Sequence, residues 1–321
     1  MDSRPAPPLS PPERGTPEDR SVELAVLRVL GYFDVFSHPL RSDEIIRYLS
    51  QLTKDPSRII ALLGGLQERG LIERSGAYWA LKQVEERTDR RLESERRARS
   101  RMPKATVMAR RIACFPFVRA VFISGSLSKG VLAEDGDIDF FVVTTPGRLW
   151  VARTLLILYK KIFLLNSRRD FCLNYFLDSE HLEVEDRNRF TATEVVTLIP
   201  MYGNGTTEAF FARNAWAFHM YPNVPRPRSR EISIGSGRFK RRLELLMNGR
   251  LGAMLDQGAM NLTWRFWKRK FGHLDARTFE LALRTRTYVS KHHPRNFQER
   301  VLDGFHARMA ELEERVAPSR S

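Results

Sequence analysis

VRAVFISGSLSKGVLAEDGDIDFFVVTT, residues 118–145, is the stretch that decides the fold. Val118 to Ile123 is largely β-branched and aromatic, the composition of a buried strand. The strand ends in Ser124-Gly125-Ser126, a tight turn, and a helical or loop segment leads to Asp135-Gly136. Asp137 to Val143 then predicts a second strand. Side chains alternate along a strand, so Asp137 and Asp139 share one face while Ile138 and Phe140 take the other. Two neighbouring carboxylates repel each other, and burying them unpaired is costly. A divalent cation removes that cost. Mg²⁺ takes oxygen ligands, commonly one or two carboxylates plus substrate phosphates. The second strand is therefore a candidate metal shelf for Mg²⁺ or Mn²⁺. The turn supplies the other half: Gly125 lacks the Cβ that would keep a phosphate from the backbone amides, Ser126 adds a hydroxyl, and Lys129 adds a positive charge. No GxxxxGK[ST] loop is present, so this is not a Walker loop.

A strand, Gly-Ser, ten intervening residues, then Asp-hydrophobic-Asp-hydrophobic resembles the signature of the DNA polymerase β-type nucleotidyltransferase superfamily. The resemblance covers the motif and its two strands and runs loosely to Leu177. It implies transfer of a nucleoside monophosphate from an NTP, with ATP the expected donor, to an unknown acceptor with release of pyrophosphate. It makes Gly125 and Ser126 the phosphate-binding pair, beside which Lys129 is the nucleotide-binding candidate read from its charge, and Asp137 and Asp139 the catalytic metal ligands. Members normally bring a third carboxylate from a later strand. Here the next strand, DFCLNYFLD at residues 170–178, holds Asn174 at its centre. Asn174 thus takes the third catalytic position, although an amide can hydrogen-bond but cannot take a proton. Asp170 and Asp178 flank the strand, and Glu183 and Glu185 follow as further stand-ins. Either catalysis proceeds with an unusual third ligand, or the chain is a catalytically degenerate, nucleotide-sensing, DNA-binding regulatory protein.

Working outward, the sequence predicts an α+β chain with five parts. Residues 1–20 read as a disordered Pro-rich tail without the apolar core of a signal peptide. Residues 21–83 predict three helices and a hairpin. Ser42 is the expected cap of DEIIRYL, Asp55-Pro56 opens the third helix, Gly70 closes it, and LIERSGAYWAL folds back around Ser75-Gly76. This order resembles a winged helix-turn-helix, which implies possible nucleic-acid contact through residues 21–83. Its third helix offers few donors (Arg58, Gln67 and Arg69), and protein contact or a cover for the neighbouring domain is the equal alternative. Residues 84–111 carry ten basic and five acidic side chains and predict a solvated linker helix, broken or restarted near Pro103. Residues 112–202 hold the nucleotidyltransferase core with a small mixed sheet. Within it Arg148 to Leu165 predicts a buried amphipathic helix, and DRNRFTATEVVTLIPMYG a helix closing at Pro200. Residues 203–321 predict a helical C-terminal region, in which Arg284, Arg286 and Lys291 are candidate phosphate or acceptor contacts.

The 321 residues carry 53 Lys+Arg against 38 Asp+Glu, a net charge of +15, which favours an anionic partner: a nucleotide, a nucleic acid or an anionic membrane surface. High Arg content from base composition would give the same number. The stretch from Leu149 to Leu165 is interrupted by Arg153, Lys160 and Lys161, so no membrane insertion is expected. The two cysteines, Cys114 and Cys172, form no CxxC pair and read as buried small hydrophobes in a cytoplasmic protein.

Overall fold

The computed structural model describes residues 17–167, 169–203, 205–227, 237–293 and 296–316. The expected tail at 1–20 lies outside the described residues up to 16; beyond that, α1 (Pro17–Asp34) has already begun, with a proline at its first position, where the fixed φ suits a helix start. β1 (Leu40–Arg41) and α2 (Ser42–Arg47) follow. Ser42 is not the cap of α2: Arg41 holds that position and its N–H donates to Glu44 Oε2 at 2.8 Å, while the Ser42 hydroxyl accepts from Trp79 Nε1 at 3.0 Å. α3 (Pro56–Glu68) starts as expected, with Asp55 accepting from the Ser57 N–H at 2.9 Å. β2 (Glu73–Ser75) and β3 (Tyr78–Ala80) form the hairpin, and β1 joins it on the far side of β3.

α4 (Val84–Ala113) runs unbroken through Pro103, which corrects the expected break. Nor is it merely solvated. Thr88, Ala98, Ala105, Ala109 and Ile112 are buried, and Arg87 and Arg91 reach into the N-terminal module. Arg87 pairs with buried Asp34, and Arg91 bonds Glu44 and the Pro39 carbonyl. One ring that lacks an N–H is tolerable in a helix held by that many contacts along both halves.

β4 (Val118–Ser124), the short α5 (Gly125–Ser128) and β5 (Asp139–Thr144) follow. The second strand starts two residues later than the pattern suggests, so Asp137 stands just ahead of it. α6 (Leu149–Phe163) crosses to β6 (Cys172–Asp178), which pairs parallel with β5. α7 (Arg189–Thr197) ends before β7 (Ile199–Tyr202). Residues 199–202 are therefore a strand paired with β4, not the end of a helix. Pro200 is tolerated because β7 lies at the sheet edge.

α8 (Thr206–Arg213), α9 (Ala215–Met220), α10 (Arg238–Leu246), α11 (Arg250–Lys270) and α12 (Ala276–Ala282) precede a second small hairpin, β8 (Thr285–Arg286) and β9 (Val289–Lys291), and α13 (Phe297–Val316) closes the described chain. The C-terminal region is thus not purely helical: β9 pairs with β6 and extends the sheet to six strands in the order β7-β4-β5-β6-β9-β8. The chain is α+β with a mixed central sheet.

The two faces of the sheet bury different cores. Val121, Ile123, Phe140, Val142 and Phe176 pack against α4 and α6 on one side. Phe122, Phe141, Val143 and Leu177 face the other side, where α7, α8, α9, α13 and the N-terminal module form one continuous apolar cluster with them. Gly31 of α1 lets Met309 of α13 approach to 3.4 Å of where a Cβ would stand, and Arg308 of α13 bonds Asp34 at 2.7 Å. The N-terminal module is packed into the body of the protein by both ends of the chain.

Candidate active site

By strand parity Asp139 belongs with Phe141 and Val143, on the face shared with the N-terminal module. In the register of β4 and β5 it pairs with Ser124, so its side chain stands beside the turn that ends β4. Gly125 has φ +65, and a Cβ added there would lie 2.2 Å from Asp139 Oδ2. The glycine is needed first for the carboxylate, which occupies the space a side chain would fill. Asp137 lies close enough to push the Asp139 pKa up.

Asn174 reaches the same carboxylate. Its Nδ2 donates to Asp139 Oδ1, and its Oδ1 accepts from the Cys172 thiol at 3.1 Å. The backbone explains how. Phe140 pairs with Leu173 and Phe141 with Tyr175, so Asn174 is an extra residue in β6, a bulge. Leu173 faces the α4 and α6 core, yet Asn174 and Tyr175 both line the opposite side. Without the extra residue, strict alternation would set one of them behind the sheet.

Asp139, Asn174 and Tyr175 line a cavity of about 700 Å³. Ser126 and Lys129 line it beside Gly125 and Asp139. Lys129 Nζ donates to the Gly125 carbonyl at 3.0 Å and pairs with Glu194 of α7 at 2.8 Å. α4 contributes Arg90 and Arg97 to one wall. Phe36, Phe190 and Phe297, from three distant segments, contribute an aromatic wall, with ring centroids 6.0 Å apart for Phe190–Phe297 and 6.1 Å for Phe36–Phe297. His38 and His293 also line the cavity, and burial lowers both, to about 3 and about 4, so they are neutral near pH 7.

Electrostatically the site is strained toward protonation. Burial raises the Asp139 carboxyl to about 7, and Asp137 and Glu194 raise it further while Lys129 opposes them. Burial, then the nearby Asp139 and Asp137, push the Cys172 thiol up to about 12. A dication beside these carboxylates reverses that cost. Asp139 lines the cavity and Asp137 stands just ahead of β5, and among the described residues no group of three His, Cys, Asp or Glu is placed to hold a metal.

The other acidic candidates are occupied elsewhere. Asp170 pairs with Arg101 and Lys104 at 2.6 Å each. Asp178 accepts from the His181 N–H, Glu183 pairs with Arg187, and Glu185 with Arg286. The C-terminal cations expected at phosphate are likewise engaged: Arg284 and Lys291 hold Asp186, and Arg286 holds Glu185 and Glu280. Arg58 of α3 pairs with Asp19, and Arg69, just past the end of α3, with Glu23. Of the cysteines, Cys114 is exposed and Cys172 half-buried, so neither is the fully buried residue expected.

The sequence pattern missed Glu194 as the partner of Lys129, Cys172 as a neighbour of the acid pair, and the aromatic wall. Only the first left a trace, the lone acid of α7. No curated protein matches the chain, and no solved structure does. A family model described as nucleotidyltransferase domain matches residues 108–192, which run from the last turn of α4 through the Gly-Ser turn, the aspartate strand and β6 into α7. With that match falling on the segment that builds the site, the chain carries a nucleotidyltransferase domain.

Proposed function

We propose that the chain transfers a nucleoside monophosphate from an NTP, most simply ATP, to an acceptor held in the same cavity, with Mg²⁺ or Mn²⁺ on Asp137 and Asp139. One observation carries the proposal: the Asp139 carboxylate lies against Gly125 and lines one cavity with the Gly-Ser turn, while Asp137 is near enough to raise the Asp139 pKa. The dication would neutralise the triphosphate and polarise the attacking oxygen. Ser126 offers a hydroxyl to a phosphate oxygen, and Lys129 supplies a fixed positive charge whose position is set by Glu194. The acceptor hydroxyl oxygen forms a bond to the α-phosphorus as the bond to the bridging oxygen breaks; its proton passes to solvent water or to the departing pyrophosphate, and pyrophosphate leaves. Asn174 takes no proton. Its amide fixes the rotation of the Asp139 carboxylate, with the Cys172 thiol holding the amide from the other side. The aromatic wall suits a planar or apolar group, either the base or part of the acceptor.

Incubation with α-³²P-labelled NTPs, Mg²⁺ and a pool of candidate acceptors tests this. Label transfer by the wild type, lost in both Asp137→Asn and Asp139→Asn, is expected; transfer that persists in both variants overturns the assignment. A second reading is favoured by one specific feature, the amide at the third position: the chain binds nucleotide as a sensor without turnover. Mg²⁺-dependent nucleotide binding with no transfer to any acceptor, restored to transfer by Asn174→Asp, would select it.

A further inference from the structure

α11 is amphipathic in an unusual direction. Its inner face, Gly252, Asp256 and Trp267, is buried against the body. Leu251, Met254, Leu255, Leu262 and Phe266 form a stripe with the spacing of one helix face, and they are 64%, 71%, 47%, 71% and 58% exposed. Leu245 and Leu246 of the preceding α10 are about three-quarters exposed as well. α6, against which α11 packs, ends in exposed Ile162 and Phe163, followed by Leu165. This apolar surface lies on elements outside the cavity lining, and the nucleotide reading makes no use of it.

Charge decides what the surface fits. Residues 238–270 hold nine Lys and Arg but two acidic residues, Glu244 and Asp256. Both acids are turned inward: Glu244 pairs with Arg119 at 2.9 Å and accepts the Phe117 N–H at 2.6 Å, and Asp256 accepts the Val151 N–H at 2.8 Å. Arg241, Arg242, Arg250, Arg265, Lys268 and Arg269 are exposed around the apolar stripe. Lys268 lies over the Trp264 ring at 4.4 Å, a cation beside a half-exposed indole. A second copy of the chain would bring two such cationic faces together with no free carboxylate between them. Nucleic acid would take the cations and leave the leucines in water. A surface with both an apolar layer and negative headgroups takes both. No described helix is long and apolar enough to cross a membrane, so the contact is interfacial.

We propose that α10 and α11 dock the protein on the surface of an anionic phospholipid bilayer, with the leucine stripe in the acyl boundary and the Lys and Arg side chains at the headgroups. The inference does not rest on the nucleotidyl-transfer reading. Co-sedimentation of the full chain with vesicles tests it, using phosphatidylcholine alone and phosphatidylcholine mixed with phosphatidylglycerol. The wild type should pellet with the mixed vesicles, stay soluble with the neutral ones, and be released by high salt. The doubly substituted Leu251→Glu, Phe266→Glu variant changes exposed side chains only and should lose pelleting while keeping the wild-type melting temperature. Arg265→Gln with Lys268→Gln and Arg269→Gln should weaken it. Failure of the wild type to pellet with either vesicle overturns the proposal. So does pelleting that survives loss of both apolar side chains, which marks a general polyanion surface. A dimer in sedimentation velocity that Leu251→Glu, Phe266→Glu dissociates assigns the face to a second copy instead.

Discussion

Replacing Gly125 by alanine separates the two things the residue does. Its φ of +65 lies in the left-handed region, where a residue with a Cβ is disfavoured by about 1–2 kcal/mol. At roughly 2–4 °C per kcal/mol for a domain of 150–250 residues, that strain alone lowers the melting temperature by several degrees. The added methyl would also stand 2.2 Å from Asp139 Oδ2 and 3.0 Å from its Cγ, so the carboxylate must swing away from Asn174 and from the cavity. Displacing a catalytic group by about 1 Å can cost on the order of 100-fold. Gly76→Ala is the matched control: its φ is +57 but nothing lies within 4 Å of the added atom, and it sits in the distant β2–β3 turn. Both variants should lose melting temperature in metal-free buffer, Gly125→Ala the more, because it also displaces a hydrogen-bonded carboxylate. Only Gly125→Ala should lose the rise in melting temperature produced by Mg²⁺ with a non-hydrolysable NTP, and with it any nucleotidyl transfer. If Gly125→Ala keeps that ligand-induced rise and differs from Gly76→Ala in nothing, the close approach of Asp139 to the turn plays no part in binding.

Three further outcomes follow from the same geometry. Asn174→Asp sets a third carboxylate beside Asp139, so the metal-free protein should melt lower than the wild type and gain more on addition of Mg²⁺, read by thermal denaturation with and without the ion. The Asp139 carboxyl, at about 7 when folded against an ordinary value of 3.8, keeps its proton in the folded state through the window in which the unfolded chain has lost it. This group therefore makes stability fall as pH rises from about 4 to about 7; denaturant titrations across that range should show the slope, and Asp139→Asn or bound Mg²⁺ should flatten it. Asp34→Ala strands buried Arg87 and frees Arg308, and removing one member of a buried ion pair costs about 3–5 kcal/mol, so urea unfolding should shift strongly while Asp43→Ala, at an exposed pair, changes little.

The strand at 118–123 and the face that Asp139 takes were legible because β-branched composition and period-two alternation are local properties; Asp137 stands ahead of β5, where alternation does not place it. The need for glycine at 125 was legible too, although its immediate neighbour is a carboxylate that comes from the next strand. The bulge at Asn174 was not, since an extra residue in a strand leaves no mark in the sequence; it shows only when the partner strand is in place. β7 was misread as the end of a helix because Pro200 looks like a stop signal, and the sheet edge that tolerates it is a tertiary fact. β8 and β9 are too short to carry a pattern. α4 looked solvated because its charges dominate its composition, whereas Arg87 and Arg91 find buried acids on α1 and α2 that lie far away in sequence. The stripe on α11 shows that periodicity reveals an apolar face without saying whether protein covers it.

In the proposed function Asp137 and Asp139 share a dication with a nucleotide bound at the Gly-Ser turn. Electron paramagnetic resonance of Mn²⁺ in the presence of a non-hydrolysable NTP measures this most directly. The wild type should immobilise Mn²⁺ with nucleotide present, and Asp137→Asn and Asp139→Asn should each release it. Mn²⁺ that stays bound, with nucleotide, after both aspartates have been replaced together would contradict the account.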